Sequence, residues 1–142
     1  MARFRAVPYA KALNQVVRAE CPERAEEVAA ELDLLAAAVA QVPALVRVMV
    51  TPTVVPERKQ EILDQGLDHL GGGGPTRRLA HVVQRHYRLE QVAGIAAAYR
   101  ELVDRASGRT RARVETVGAL APKQRKALVA TLEGLVGGEV VA

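Results

Sequence analysis

The sequence predicts a mostly α-helical protein, with an N-terminal bundle of six helices followed by an incomplete β-α-β segment. The chain has 142 residues, enough for one domain or for one domain with a small appendage. Alanine, the best helix former, supplies 25 of them. Apolar residues recur at helical spacing to about residue 106, where a period-two pattern takes over. We therefore expect two domains, residues 1–106 and 107–142.

Prolines mark the beginnings of the first three helices. Pro8 is expected in the first turn of a helix whose apolar face carries Tyr9, Leu13, Val16 and Val17. Pro22 suits the first position of a second helix, with a stripe of Val28, Leu32, Leu35 and Val39. Pro43 opens a short third helix. Thr51-Pro52 ends it, because the residue before a proline avoids the helical region.

Three more helices follow. Pro56 starts the fourth, and the glycines at 71–74 then break the chain. No Gly-Lys-Ser/Thr follows these glycines, so we interpret them as a turn and not as a phosphate-binding loop. Thr76 is expected to cap a fifth helix, whose apolar face includes Leu79, Val82 and Val83. A sixth runs from about Leu89 to Ala106 and ends at Ser107-Gly108.

The last part of the chain has a different pattern. Residues 110–117 alternate between polar and smaller or apolar positions, which predicts a strand. Pro122 begins another helix, Gly137-Gly138 ends it, and residues 139–142 look like the start of a second strand. The predicted mixed domain would be incomplete at this point.

Several functional classes are not expected. The longest apolar run, 34–40, has seven residues, against the roughly 18–20 of a membrane span. No apolar stretch follows the basic N-terminus, so a secretory signal is not expected. Cys21 is the only cysteine and Ser107 the only serine, and the histidines lack metal-ligand spacing. We expect no catalytic constellation, no metal and no cofactor.

The charge is uneven along the chain. Residues 1–70 have net charge −2 and residues 71–142 net charge +6, for a total of +4. The basic half leaves open an alternative function as a helical nucleic-acid-binding module. Its local basic cluster is Arg105, Arg109, Arg111 and Arg113, with Arg111 and Arg113 on one face of the predicted strand. This cluster lacks the aromatic side chains on which bases stack, and we do not expect nucleic-acid binding.

Several motifs, taken in their order along the chain, resemble those of one known family, and the resemblance covers nearly the whole chain. The motifs are Pro8-Tyr9-Ala10-Lys11-Ala12-Leu13, then 52–56 with Lys59 and Ile62-Leu63, then Arg88-Leu89, 99–102 and Ser107-Gly108, then 113–116 with Leu120 and Gln124, and finally 138–140. Together they are similar to the delta subunit of F-type ATP synthases, whose mitochondrial counterpart is the oligomycin-sensitivity-conferring protein. The family often has Asn-Gly after its fifth helix, where this chain has His86-Tyr87. Family members usually continue past this endpoint.

The resemblance implies a non-catalytic stator protein in a peripheral stalk. Its helical domain would bind the N-terminal helix of an alpha subunit on the catalytic head, and its C-terminal region would contact the b subunit. Together they would resist rotor torque during proton-driven ATP synthesis. The location implied is the cytoplasmic face of the bacterial inner membrane, or the matrix side in mitochondria, with membrane contact only through the complex.

In the family, the alpha-subunit helix occupies a groove between the first and fifth helices. The positions of this sequence that match the groove are Tyr9, Ala12 and Leu13 on the first helix, and Leu79, Val82 and Val83 on the fifth. We expect these six side chains to bind the partner helix. The alternative, left open by the sequence, is that they belong to the intramolecular core.

Overall fold

The computed structural model describes the backbone of residues 2–141 and the side chains of residues 5–110 and 112–141. The chain is mostly helical with one small parallel sheet, which confirms the predicted fold class at that level. Over the described residues it has seven α-helices and two strands, in the order α1 (Ala2–Glu20), α2 (Ala25–Gln41), α3 (Pro43–Val50), α4 (Pro56–Leu70), α5 (Gly74–Arg85), α6 (Val92–Ala106), β1 (Arg109–Arg111), α7 (Pro122–Val136) and β2 (Glu139–Val141).

The chain forms two compact units. The first ends at Arg100 and the second begins at Glu101, so the boundary falls inside α6. The predicted domain boundary between residues 106 and 107 stays a prediction.

An apolar core holds the first unit together. α1 turns a stripe of small and branched side chains inward, formed by Ala6, Ala10, Leu13 and Val17. Gly94 of α6 lies close to this stripe, since a Cβ there would be 3.2 Å from the Cβ of Ala6. Tyr99 is fully buried, and its phenol donates a hydrogen bond of 3.3 Å to the Ala25 carbonyl. Burial raises the pKa of Tyr99 to about 12.

Three local predictions in this unit are wrong. Pro8 lies inside α1, which begins at Ala2. A proline in a helix interior costs about 3 kcal/mol through its missing N–H and ring clash, yet α1 continues through it with Ala6 and Ala10 buried on either side. Pro22 opens a single 3-10 turn, and α2 begins only at Ala25. Thr76 does not cap α5, whose N-cap is Gly73. Its hydroxyl instead donates to the Glu31 carboxylate of α2.

The second unit contains the sheet. β1 and β2 pair in parallel, with Arg109 opposite Glu139 and Thr110 opposite Val140. The predicted strand over 110–117 is wrong in extent, because β1 covers only Arg109–Arg111. The Ala112 N–H still bonds to the Val141 carbonyl, and the described part of β2 offers no partner beyond that point. Ala142, predicted in the second strand, lies outside the described residues.

Among residues 2–141, no single helix has the length and apolarity to cross a bilayer. Residues 22–41 and 43–50 meet those criteria only as a pair, and the chain bends by 87° between them.

Candidate functional site: an apolar groove between α1 and α5

Two packed helices of the first unit, α1 and α5, leave an open apolar groove between them. Helical spacing explains the lining, since residues three and four apart lie on one face. The groove has a volume of about 170 Å³. Its lining side chains are Tyr9, Ala12, Leu13 and Val16 from α1, and Pro75, Arg78, Leu79 and Val82 from α5.

Five of the six sequence-predicted site residues line this groove, and Val83 does not. Val83 is fully buried in the core of the first unit, whereas its neighbour Val82 is 38% exposed. Successive helical residues point about 100° apart, so one faces the groove and the other the interior. The function of the six residues in binding stays a prediction.

Three lining residues were missed by the sequence prediction. Val16 lies on the same stripe as Tyr9 and Leu13, so periodicity was a sufficient signal for it. Pro75 belongs to the first turn of α5, and its contribution depends on where α5 begins. Arg78 lines an apolar groove with its aliphatic stem, as long cationic side chains often do.

Arg78 of the groove forms an ion pair with Glu20 at the C-terminus of α1. Two guanidinium nitrogens of Arg78 donate to the two carboxylate oxygens of Glu20, at 3.2 and 2.5 Å. This hydrogen bonding lowers the pKa of Glu20 and raises the pKa of Arg78. The two-pronged contact joins Arg78, which lines the groove, to the end of α1.

At the other end of the groove, Arg88 contacts Tyr9. Its Nη1 donates a 3.1 Å hydrogen bond to the Tyr9 hydroxyl, although the residues are 79 positions apart in sequence. The end of α5 positions Arg88. The Tyr87 N–H bonds to the Gln84 carbonyl and the Arg88 N–H to the Val83 carbonyl, which together form a Schellman motif. Tyr87 takes the left-handed position of that motif, with φ of 54°, where glycine or asparagine is more common.

Three successive residues of α5 bind three different helices. Thr76 bonds to Glu31 of α2, Arg77 to Asp64 and Asp68 of α4, and Arg78 to Glu20 of α1. The three side chains diverge because each helical residue is rotated about 100° from the last. The start of α5, and with it one wall of the groove, is therefore tied to three neighbours.

The α4 side of this arrangement also includes a histidine. His81 Nε2 and Arg77 Nη1 each lie 2.8 Å from the same oxygen of Asp64. Burial opposes ionisation of Asp64, but the hydrogen bonds from His81 and Arg77 outweigh it and lower the pKa of Asp64. This polar cluster holds α5 against α4 behind the groove.

The described residues also include side chains of the types that hold metal ions or act as nucleophiles. Over these residues no three His, Cys, Asp or Glu side chains are arranged to hold a metal ion. Cys21 is a half-buried free thiol. The groove itself contains no acid, base or nucleophile apart from the tyrosine hydroxyl.

Ion pairs occupy part of the predicted basic cluster. Arg109 lies 3.6 Å from Asp104, and Arg113 lies 3.6 Å from Glu115. The expected shared strand face of Arg111 and Arg113 is wrong, because β1 ends at Arg111. The Arg111 side chain lies outside the described residues. The nucleic-acid-binding alternative stays untested by these contacts.

Comparison with known proteins gives a consistent result. The family model of the ATP synthase delta (OSCP) subunit matches residues 6–142. This chain belongs to that family. It is 33% identical to the ATP synthase subunit delta of Rhodopseudomonas palustris strain TIE-1, over 93% of this chain and 70% of that protein. With the same coverage, it is 31% identical to the Nitrobacter winogradskyi subunit and 30% identical to the Bradyrhizobium diazoefficiens subunit.

Membership of the delta (OSCP) family confirms the prediction of a non-catalytic role. The chain is a peripheral stalk subunit of an F-type ATP synthase, and it associates with other subunits of that membrane-bound complex.

Proposed function

We propose that the α1/α5 groove binds the N-terminal helix of an ATP synthase alpha subunit and so attaches this subunit to the catalytic head. The observation that carries the proposal is the groove itself, an open apolar surface between two helices of the first unit. Amphipathic helices bind such grooves through side chains at i, i+3, i+4 and i+7.

The dimensions and residues of the groove suit a helix. Tyr9 and Val16 are two turns apart on α1, a distance of about 10 Å along the axis, which accommodates about two turns of a partner. Ala12 lies between them and is exposed, so its small side chain allows close approach. Tyr9 is half-buried and offers the large amphipathic contact that is frequent at interface hot spots.

The complementary proposal concerns the other end of the subunit. We propose that the six-helix bundle of residues 1–106 binds the catalytic head and that the β-α-β segment of residues 107–142 contacts the b subunit. Exposed apolar side chains of α7 support this contact, since Leu135 is 78% and Val136 52% exposed. Joined in this way on the cytoplasmic face of the membrane, the head and the stalk would resist rotor torque.

The test for the groove is a titration of this chain with a fluorescently labelled peptide, the first ~20 residues of the cognate alpha subunit. The label is needed because the chain contains no tryptophan. We expect saturable one-to-one binding by fluorescence anisotropy. Val82→Asp introduces a charge into the groove at a residue that is 38% exposed, so the fold should persist and the affinity should fall at least about tenfold.

The matched control is Val55→Asp, the same change at a valine that is 58% exposed and does not line the groove. It should bind the peptide like the wild type. If Val82→Asp folds and keeps wild-type affinity, the groove is not the binding site. If the folded wild-type chain does not bind the peptide, the proposed partner is wrong.

A further inference from the structure

We propose that the Tyr9 hydroxyl and the Arg88 guanidinium form a carboxylate-binding site at one end of the α1/α5 groove. The site would receive an acidic side chain of the docked helix and fix its position along the groove. This inference rests on the proposed function. It adds a polar, specificity-determining contact to a surface that is otherwise apolar.

The hydrogen bond between Arg88 and Tyr9 leaves the Tyr9 O–H and other N–H groups of Arg88 available to a ligand. Arg88 Nη1 donates to the Tyr9 oxygen, so the oxygen already has its donor and the phenol O–H remains available to an acceptor. The guanidinium has five N–H donors, and this bond uses one. Both residues are half-buried, which strengthens a charge-assisted hydrogen bond relative to bulk water. A carboxylate beside this pair can accept from both groups at once.

Neighbouring charges favour an anion at this end. Arg5 lies one turn before Tyr9 on α1, and Arg85 lies one turn after Val82 on α5. Within the described part of the chain, no carboxylate lies within ion-pair distance of Arg5, Arg85 or Arg88. At the opposite end of the groove, Glu20 already neutralises Arg78. The groove is therefore cationic at its Tyr9 end, and charge complementarity places the acidic side chain there.

The turn after α5 and the buried face of α1 fix the backbones of the two residues. Arg88 is the last residue of the Schellman motif, and its backbone N–H is bonded to Val83, a core residue. Tyr9 is flanked in α1 by the buried Ala6 and Ala10. Because both backbones are already ordered, the ordering cost of binding is confined to the side chains.

The test is a double-mutant cycle between the chain and the labelled alpha-subunit peptide. Each Asp or Glu of the peptide is changed singly to its amide, and each peptide is titrated against wild type, Tyr9→Phe and Arg88→Gln. We expect one amide substitution to weaken binding to wild type about tenfold. The same substitution should reduce the affinity of the Arg88→Gln variant only slightly, because the guanidinium that pairs with the carboxylate is absent. In Tyr9→Phe the loss of affinity should be smaller than in wild type, because one of the two donors is absent.

Arg85→Gln is the charge-matched control, since it removes a cation at the same end without touching the Tyr9 hydroxyl. It should leave most of the effect of the amide substitution in place, because Arg85 contributes only a longer-range attraction. Thermal unfolding of each variant checks the fold. If Arg88→Gln is destabilised, Tyr9→Phe still tests the site, because it removes the hydroxyl and retains the aromatic ring.

The outcomes separate the two proposals. If Val82→Asp abolishes binding but no acidic position is coupled to Tyr9 or Arg88, the carboxylate site is overturned and the groove stands. If Arg85→Gln removes the coupling as fully as Arg88→Gln, the effect is general electrostatic attraction and the local site is overturned. If the peptide does not bind the folded chain, both proposals fail.

Discussion

The helices α4 and α7 have the same length and the same terminal signals, yet they differ completely in burial. Each has 15 residues, begins with a proline and ends before a glycine in the left-handed conformation, Gly71 with φ of 73° and Gly137 with φ of 71°. α4 buries Lys59, Leu63 and Leu67, whereas no residue of α7 is buried. Local signals specify a helix, and burial depends on what the rest of the chain packs against it.

The same contrast separates the two units. The first contains nearly all of the fully buried side chains among the described residues, including Tyr99, Leu32 and Met49. In the second, several apolar side chains remain exposed, namely Val114, Val117, Leu120, Leu135 and Val136. Since buried apolar area is the main favourable term in folding, the first unit should contribute most of the stability of the chain.

The largest expected effect tests this contrast directly. Leu67→Ala removes a side chain that is 1% exposed, and we expect it to lower the free energy of unfolding by about 2–5 kcal/mol. Leu135→Ala makes the same change at a residue that is 78% exposed and should cost less than about 0.5 kcal/mol. Denaturant unfolding followed by circular dichroism measures both. Equal losses would show that α7 is buried in solution.

A pH dependence of stability should arise from Tyr99 in the first unit. Tyr99 has a pKa of about 12 in the folded chain, against an ordinary value of 10.0. Below pH 10 the phenol is protonated in both states. As the pH rises from about 10 to 12, the unfolded chain loses the proton first, so the free energy of unfolding should fall by about 2–3 kcal/mol.

The control for this pH dependence is Tyr99→Phe, which lacks the ionisable group. The measurement is the difference between wild type and variant in denaturant unfolding at pH 9 and pH 12. If the two proteins lose stability in parallel over this range, the phenol is not as buried as the structure places it.

A smaller effect should follow from removing one hydroxyl in each unit. Thr76 is fully buried and bonds to Glu31, so Thr76→Val leaves a buried carboxylate without one donor and should cost about 1–3 kcal/mol. Thr131 is exposed, and its hydroxyl bonds to the Ala127 carbonyl within α7. Thr131→Val should change the stability by less than about 0.5 kcal/mol. Thermal unfolding of both variants decides whether the Glu31 contact matters as described.

Much of the helical part of the fold is predictable from sequence because its signals are local. Pro43 and Pro56 begin helices as predicted, and the glycine run ends α4. The error at Thr76 has a different origin. Its side chain fits an N-cap by type, but a carboxylate 45 residues away in sequence competes for the hydroxyl. Such a long-range partner leaves no trace in a local pattern.

The groove was predictable only in part, for a similar reason. Periodicity identifies an apolar face, but it does not separate the rim of a groove from the core behind it, as Val82 and Val83 show. The pairing of Tyr9 with Arg88 depends on the antiparallel placement of α1 and α5 and on the turn at Tyr87. The resemblance to the family identified the two helices of the groove, α1 and α5. The hydrogen bond between Tyr9 and Arg88 at one end of the groove is visible only in the three-dimensional structure.

The divergent bonds of Thr76, Arg77 and Arg78 have a mechanical consequence. A subunit of a stalk carries load, and the start of α5 is connected by side-chain bonds to α1, α2 and α4. Bonds loaded in parallel must fail together, whereas bonds loaded in series can open one after another. We therefore expect the start of α5 to separate from its neighbours only when bonds to more than one helix break.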